Sequence, residues 1–119
     1  MKRALRVFVV SYRGVRLRIR AVPHSKDVYT ELTGAKWRKR ADLPRGFFLP
    51  YTAANAKCLG LIVLAANEDL EEIIPHEVTH AVLYKMKQVH TDDDENFALT
   101  VGILSKKIHD KLWDIDYAK

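Results

Sequence analysis

One cysteine, Cys58, stands in the 119 residues. No intrachain disulfide is possible, so a disulfide-stapled secreted scaffold is excluded. Cys58 lies in an apolar run and reads as a small buried hydrophobe. Glycine and proline are sparse, at 5 and 4 residues, which rules out collagen-like repeats and Pro/Gly linker tracts. No apolar run approaches the roughly 20 residues of a membrane span. The basic start and short apolar stretch of Met1 to Val10 are interrupted by Arg6, and no small-residue cleavage site follows. That stretch reads as a strand rather than a signal peptide. These absences point to a soluble protein of the cytoplasm, with no membrane partner. The 48% hydrophobic and 29% charged fractions suit a single domain spanning residues 1–119.

Acidic residues are scarce in one half only. Residues 1–58 hold 14 Lys and Arg against 3 Asp and Glu, a balance of +11; residues 59–119 hold 6 against 12, a balance of −6. A basic half can steer a chain to nucleic acid or to an acidic partner. No nucleic-acid fingerprint accompanies it. A solvated basic sheet face is the favoured reading, and nucleic acid is permitted but not favoured.

Residues 4–22 read as a β-hairpin. Val15, Leu17 and Ile19 alternate with Arg16, Arg18 and Arg20, which puts the apolar set inward and the arginines outward. Ser25 to Leu32 fits either a short helix capped by Ser25 or a loop. Residues 33–46 read as a loop with room for one short strand. Phe47-Phe48-Leu49 and Lys57 to Leu64 are strand candidates, the second apolar enough to be buried on both faces. Asn67 suits a helix N-cap. Pro75 then either ends a short helix near Ile74 or kinks a longer one, and in both cases a helix covers about 75–88. Thr91-Asp92-Asp93-Asp94 matches a capping box, opening a helix over about 92–112. Phe97, Val101, Leu104, Ile108 and Leu112 form its apolar stripe, and Trp113 anchors its end. The expected fold class is α+β: a small twisted, mainly antiparallel sheet packed against two helices.

The densest signal is His76-Glu77-Val78-Thr79-His80, an HExxH motif. Residues four apart stand one turn above each other on a helix, so His76 and His80 can aim both imidazoles at one ion. Glu77 sits beside them as general base for a metal-activated water, the arrangement of a zinc hydrolase. At this histidine content the pattern arises by accident in roughly one such chain in a hundred. The bland alternative is a surface helix with two solvated histidines, against which the apolar continuation Ala81-Val82-Leu83-Tyr84 argues.

Catalytic zinc usually takes three protein ligands and keeps one position open. The extended HExxHxxGxxH pattern fails, because Leu83 and Met86 occupy its later positions. His90 falls at or past the helix end. Glu95, at the start of the next helix, is the preferred third ligand on spacing, with Asp94 or Asp93 next. His109 is roughly 21 Å along the helix from Glu95, so the two cannot share an ion. Glu95 also suits a helix N-terminus with no metal role.

HEVTH followed by Asp94-Glu95-Asn96-Phe97-Ala98 resembles the zincin metallopeptidases of the glutamate-ligand kind. It is similar to their minimal single-domain versions encoded by bacteriophages and prophages. The resemblance covers roughly residues 57–105. It implies one Zn2+ per chain held by His76, His80 and Glu95, Glu77 as catalytic base, an apolar edge strand, and a peptide or protein substrate. A peptide could then add along a sheet edge, with residues 57–64 the candidate strand. His90, Tyr51 and Tyr84 are candidates to steady the oxyanion. Larger members carry an aspartate four residues after the ligand glutamate, where this chain has Leu99, so the partner orienting the first histidine must differ. The rival reading is a binding protein that keeps metal as a staple and docks on a host protein or nucleic acid through its basic half. A hydrolase of a non-peptide amide is a third.

Overall fold

The computed structural model describes residues 6–35, 43–53, 55–89 and 93–114. Strand β1 (Arg6–Tyr12) and strand β2 (Val15–Val22) form the expected hairpin. Tyr12 faces Val15 across a two-residue turn, in which Arg13 and Gly14 take φ of 48° and 82°. Two left-handed residues match the twist of the flanking strands, and glycine takes one of them without strain. Helix α1 (Ser25–Thr33) follows, then strand β3 (Gly46–Pro50), strand β4 (Gly60–Ala65), helix α2 (Leu70–Val89) and helix α3 (Asp94–Asp114).

The sheet order is β1-β2-β4-β3. β1 and β2 are antiparallel, as are β3 and β4, while β2 and β4 run parallel. The α+β class holds, with a mixed sheet in which two of three pairings are antiparallel. The expected edge role of residues 57–64 does not hold. β4 lies between β2 and β3, and β3 is the edge on that side. The run that is apolar at nearly every position is the one covered on both faces.

One sheet face carries the main core. Leu17 and Ile19 of β2 and Ile62 and Leu64 of β4 pack with Ile73, Ile74 and Val78 of α2 and Leu104, Ile108 and Leu112 of α3. The helical stripe read from the sequence thus supplies α3's buried face. On the opposite sheet face α1 inserts Val28 against Val22, Val63 and Ala65. That helix makes a third layer over one end of the sheet.

The caps differ from expectation. His24, not Ser25, caps α1: its Nδ1 accepts the Lys26 N–H at 3.0 Å, and Asp27 accepts the His24 N–H at 3.0 Å. Ser25 is buried, its N–H donating to Asn67 Oδ1 at 2.9 Å. Asn67 therefore ties α1 to the β4–α2 connection instead of capping α2, where the Asp69 carbonyl accepts from Glu72 and Ile73. α2 runs through Pro75 as one helix, so of the two expected arrangements the longer helix is the one formed. The helix tolerates the missing donor near its N-terminus, one carbonyl losing its partner. Asp93 caps α3 through Oδ1, which accepts the Asn96 N–H at 3.0 Å. Thr91 and Asp92 lie outside the described residues. Among the described residues no helix is long and apolar enough to cross a membrane.

Candidate metal centre

Two faces of α2 are occupied by different neighbours. Leu70, Glu71, Ile74 and Pro75 line a cavity with Ser105, Lys106 and His109 of α3. Ile73 and Glu77 instead meet the start of β3, where a Cβ added to Gly46 would stand 2.9 Å from Ile73 Cγ2 and 3.4 Å from Glu77 Cγ. At 3.6 residues per turn, His76 lies about 160° and His80 about 120° around the helix from Ile74. The histidines therefore stand on the β3 side, away from α3.

On that side the sequence spacing becomes a site. His76 Nε2 and His80 Nε2 are 3.3 Å apart, with ring centroids at 4.8 Å and planes at 80°. Two nitrogens bound to one tetrahedral zinc at 2.0–2.1 Å stand about 3.3–3.4 Å apart. The same separation also suits a hydrogen bond between the rings when one Nε2 carries its proton. Both imidazoles are exposed, whereas Glu77 between them is only 6% exposed. Its Oε2 lies 3.9 Å from His76 Nε2. Burial pushes the Glu77 carboxyl up from its ordinary value, and the neighbouring His76 and His80 pull partly the other way. A carboxylate desolvated by burial beside two imidazoles is what a general base requires.

Glu95 is not brought to this site. It lies exposed on the first turn of α3, where it lines a shallow cavity with Arg13, Asp93, Asn96 and Leu99. Arg13 Nη1 donates to Asn96 Oδ1 there at 3.2 Å. With α3 packed on the Ile74 side of α2, Glu95 and the histidines occupy opposite flanks. Asp93 and Asp94 share the Glu95 end of the molecule. Among the described residues, no three His, Cys, Asp or Glu side chains stand close enough together to hold an ion. His109 is also apart from the histidine pair, its ring stacked on Trp113 with centroids 3.8 Å apart, although the expectation excluded it only if Glu95 were the ligand.

No family model, curated protein or solved structure matches this chain.

The cavity beside the motif, of about 380 Å³, is lined by Arg45, Gly46, Glu72, His76 and Glu77 among others. Tyr51 and Tyr84 are not part of its lining, and Tyr84 packs on Phe48 with ring centroids 5.8 Å apart. His90 falls outside the described residues. Arg45 and Glu72, an ion pair at 2.7 Å, escaped the sequence reading. Glu72 carried a usable signal, one turn before His76 on the motif's own helix. Arg45 carried none, because only strand pairing brings it to the cleft. Gly46 matters for the same reason. A Cβ there would stand 2.8 Å from the Val63 carbonyl oxygen as well as 2.9 Å from Ile73, so Gly46→Ala is expected to cost about 1–3 kcal/mol by forcing β3 off α2. Urea unfolding of the variant checks this, and an unchanged midpoint would mean that β3 does not sit on Glu77.

Proposed function

We propose that this chain is a zinc-dependent peptide hydrolase with Glu77 as general base. The observation that carries the reading is the 3.3 Å separation of the two Nε2 atoms on an exposed helix face, with Glu77 buried beside them. Two imidazoles supply nitrogen donors at the spread zinc takes, no third protein ligand stands beside them among the described residues, and the open side leaves room for water and substrate. Zinc, when bound, supplies Lewis acidity and a lowered pKa for water. Glu77 takes the proton of the attacking water and returns it to the leaving amine. Arg45, ion-paired with Glu72, is the cation lining the cleft and the group placed to steady negative charge there.

Strand β3 supplies the substrate track. It is the sheet edge next to His76 and Glu77, and a peptide in extended form adds beside it through main-chain hydrogen bonds. This replaces residues 57–64 as the track. The zincin resemblance agrees with this reading in motif and in general class, and departs from it at Glu95.

Elemental analysis of protein purified without added metal or a His-tag tests the centre. About one zinc per chain is expected, falling to none in His80→Ala and unchanged in Glu95→Gln. A chelator should stop cleavage of an unstructured peptide, and zinc should restore it. A folded, metal-free chain that takes up no added zinc would reduce HEVTH to coincidence. Zinc lost in Glu95→Gln would instead bring the start of α3 to the histidines.

A further inference from the structure

A second charged cavity lies at the other end of β3. Arg16 of β2, Lys57 ahead of β4 and Lys85 of α2 line a space of about 250 Å³ together with Tyr51 and Gln88. None of the described residues lining it is acidic. Among the described residues none of the three cations enters an ion pair, whereas Arg20, Arg45 and Lys106 each do. Three like charges facing one space repel each other, and an anion placed among them removes that cost. The same tyrosine lines an adjoining cavity with Arg18, Arg20, Val7 and Leu61 on the outer sheet face. A cationic track therefore runs along β2 from Arg18 to Arg16 and ends in the three-cation cavity, with Arg20 beyond it tied to Glu31. Successive arginines on a strand face repeat at roughly 6.6 Å, a spacing comparable to the phosphate repeat of an extended single strand.

We propose that this surface binds single-stranded nucleic acid, with a terminal phosphate seated among Arg16, Lys57 and Lys85 and the backbone following Arg18. The three-cation end decides between phosphate and carboxylate partners. A terminal phosphate carries a charge of about −1.5 to −2 and three acceptor oxygens, which three cations can meet together. A carboxylate of an acidic peptide carries one charge and would leave the cavity over-positive. Guanidinium groups take phosphate oxygens in a fork, and Tyr51, between the two cavities, offers a ring for a base to stack on. Zinc is not needed for this contact.

Fluorescence anisotropy with a labelled twelve-residue oligothymidylate, carrying or lacking a phosphate at its unlabelled end, tests the proposal. Both possible ends are tried in turn. The terminal phosphate is expected to tighten binding about tenfold at low salt for one of the two ends. Lys57→Gln/Lys85→Gln should abolish that advantage and make the salt slope shallower by about 1.4. Its zinc content should stay as in the parent and its thermal midpoint should be no lower, since two mutually repelling charges are gone, which separates loss of the site from loss of the fold. Equal affinity with and without the phosphate at both ends would overturn the proposal. So would a salt-sensitive complex with an acidic peptide, lost in the same variant, when the oligonucleotide does not bind.

Discussion

Glu77→Gln is expected to lower peptide hydrolysis by about 10²–10⁴-fold, the usual range for a general acid–base group, while zinc stays bound and the metal-free protein becomes more stable near neutral pH. The two effects share one cause. Glu77 is almost fully buried, and burial holds its carboxyl above the ordinary range despite His76 and His80. A carboxyl whose pKa is raised by folding favours the folded state when protonated and opposes it when ionised. The penalty is therefore absent below the unfolded value of about 4.3. It grows as pH rises and is complete above the folded pKa. Glutamine keeps the shape and removes the charge, so the variant should gain about 1 kcal/mol near neutrality. That gain corresponds to a thermal midpoint higher by roughly 4 °C, shrinking to nothing in acid. Calorimetry on metal-free protein across pH, beside cleavage assays on the zinc form, reads both. Hydrolysis that survives the substitution would take Glu77 out of the chemistry. A parent chain that binds zinc but cleaves no peptide would be the metal-stapled binding protein instead.

The parts of this molecule that were legible in the sequence are those written as a period. Val15, Leu17 and Ile19 alternate with arginines because one face of β2 meets the core and the other does not. Leu104, Ile108 and Leu112 recur along α3 because one stripe is buried. His76 and His80 were legible as a pair for the same reason, since a helix turns a spacing of four into adjacency. What could not be read are relations between elements. Nothing in residues 57–64 says that β4 pairs with β2 on one side and β3 on the other. Arg45 reaches the cleft only through that pairing. Glu95 failed on a similar point: the number of residues after His80 permits a return to the metal side, but it does not say which flank of α2 the second helix covers. Ile74 and its neighbours take α3, and the histidines are left on the other flank. The caps were missed where tertiary bonds outbid local ones, as Asn67 shows by holding Ser25 rather than α2.

Gly60→Ala should cost more stability than Gly46→Ala, the other methyl added at a glycine of the sheet. A Cβ at Gly60 would stand 2.5 Å from the Leu49 carbonyl oxygen and 2.5 Å from Phe48 Cε1. The first is backbone of the paired strand, in register with Gly60 through Pro50, and cannot swing aside as a flexible side chain would. The ring of Phe48 is held in turn against Tyr84 of α2. Relief therefore requires β3 to move away from β4, and the expected cost is about 3 kcal/mol, a thermal midpoint lower by roughly 10 °C. The functional consequence separates the metal from the substrate track. His76 and His80 stand on α2 and keep their spacing, so folded Gly60→Ala should still bind one zinc. β3 is the strand along which a peptide is proposed to lie, so the variant's KM for an extended peptide should rise several-fold, measured below its melting range. A raised KM with zinc retained would tie substrate binding to the β3 edge. An unchanged KM in a chain destabilised as expected would detach the substrate from β3 and leave the cleft between Arg45 and the motif helix as its only seat.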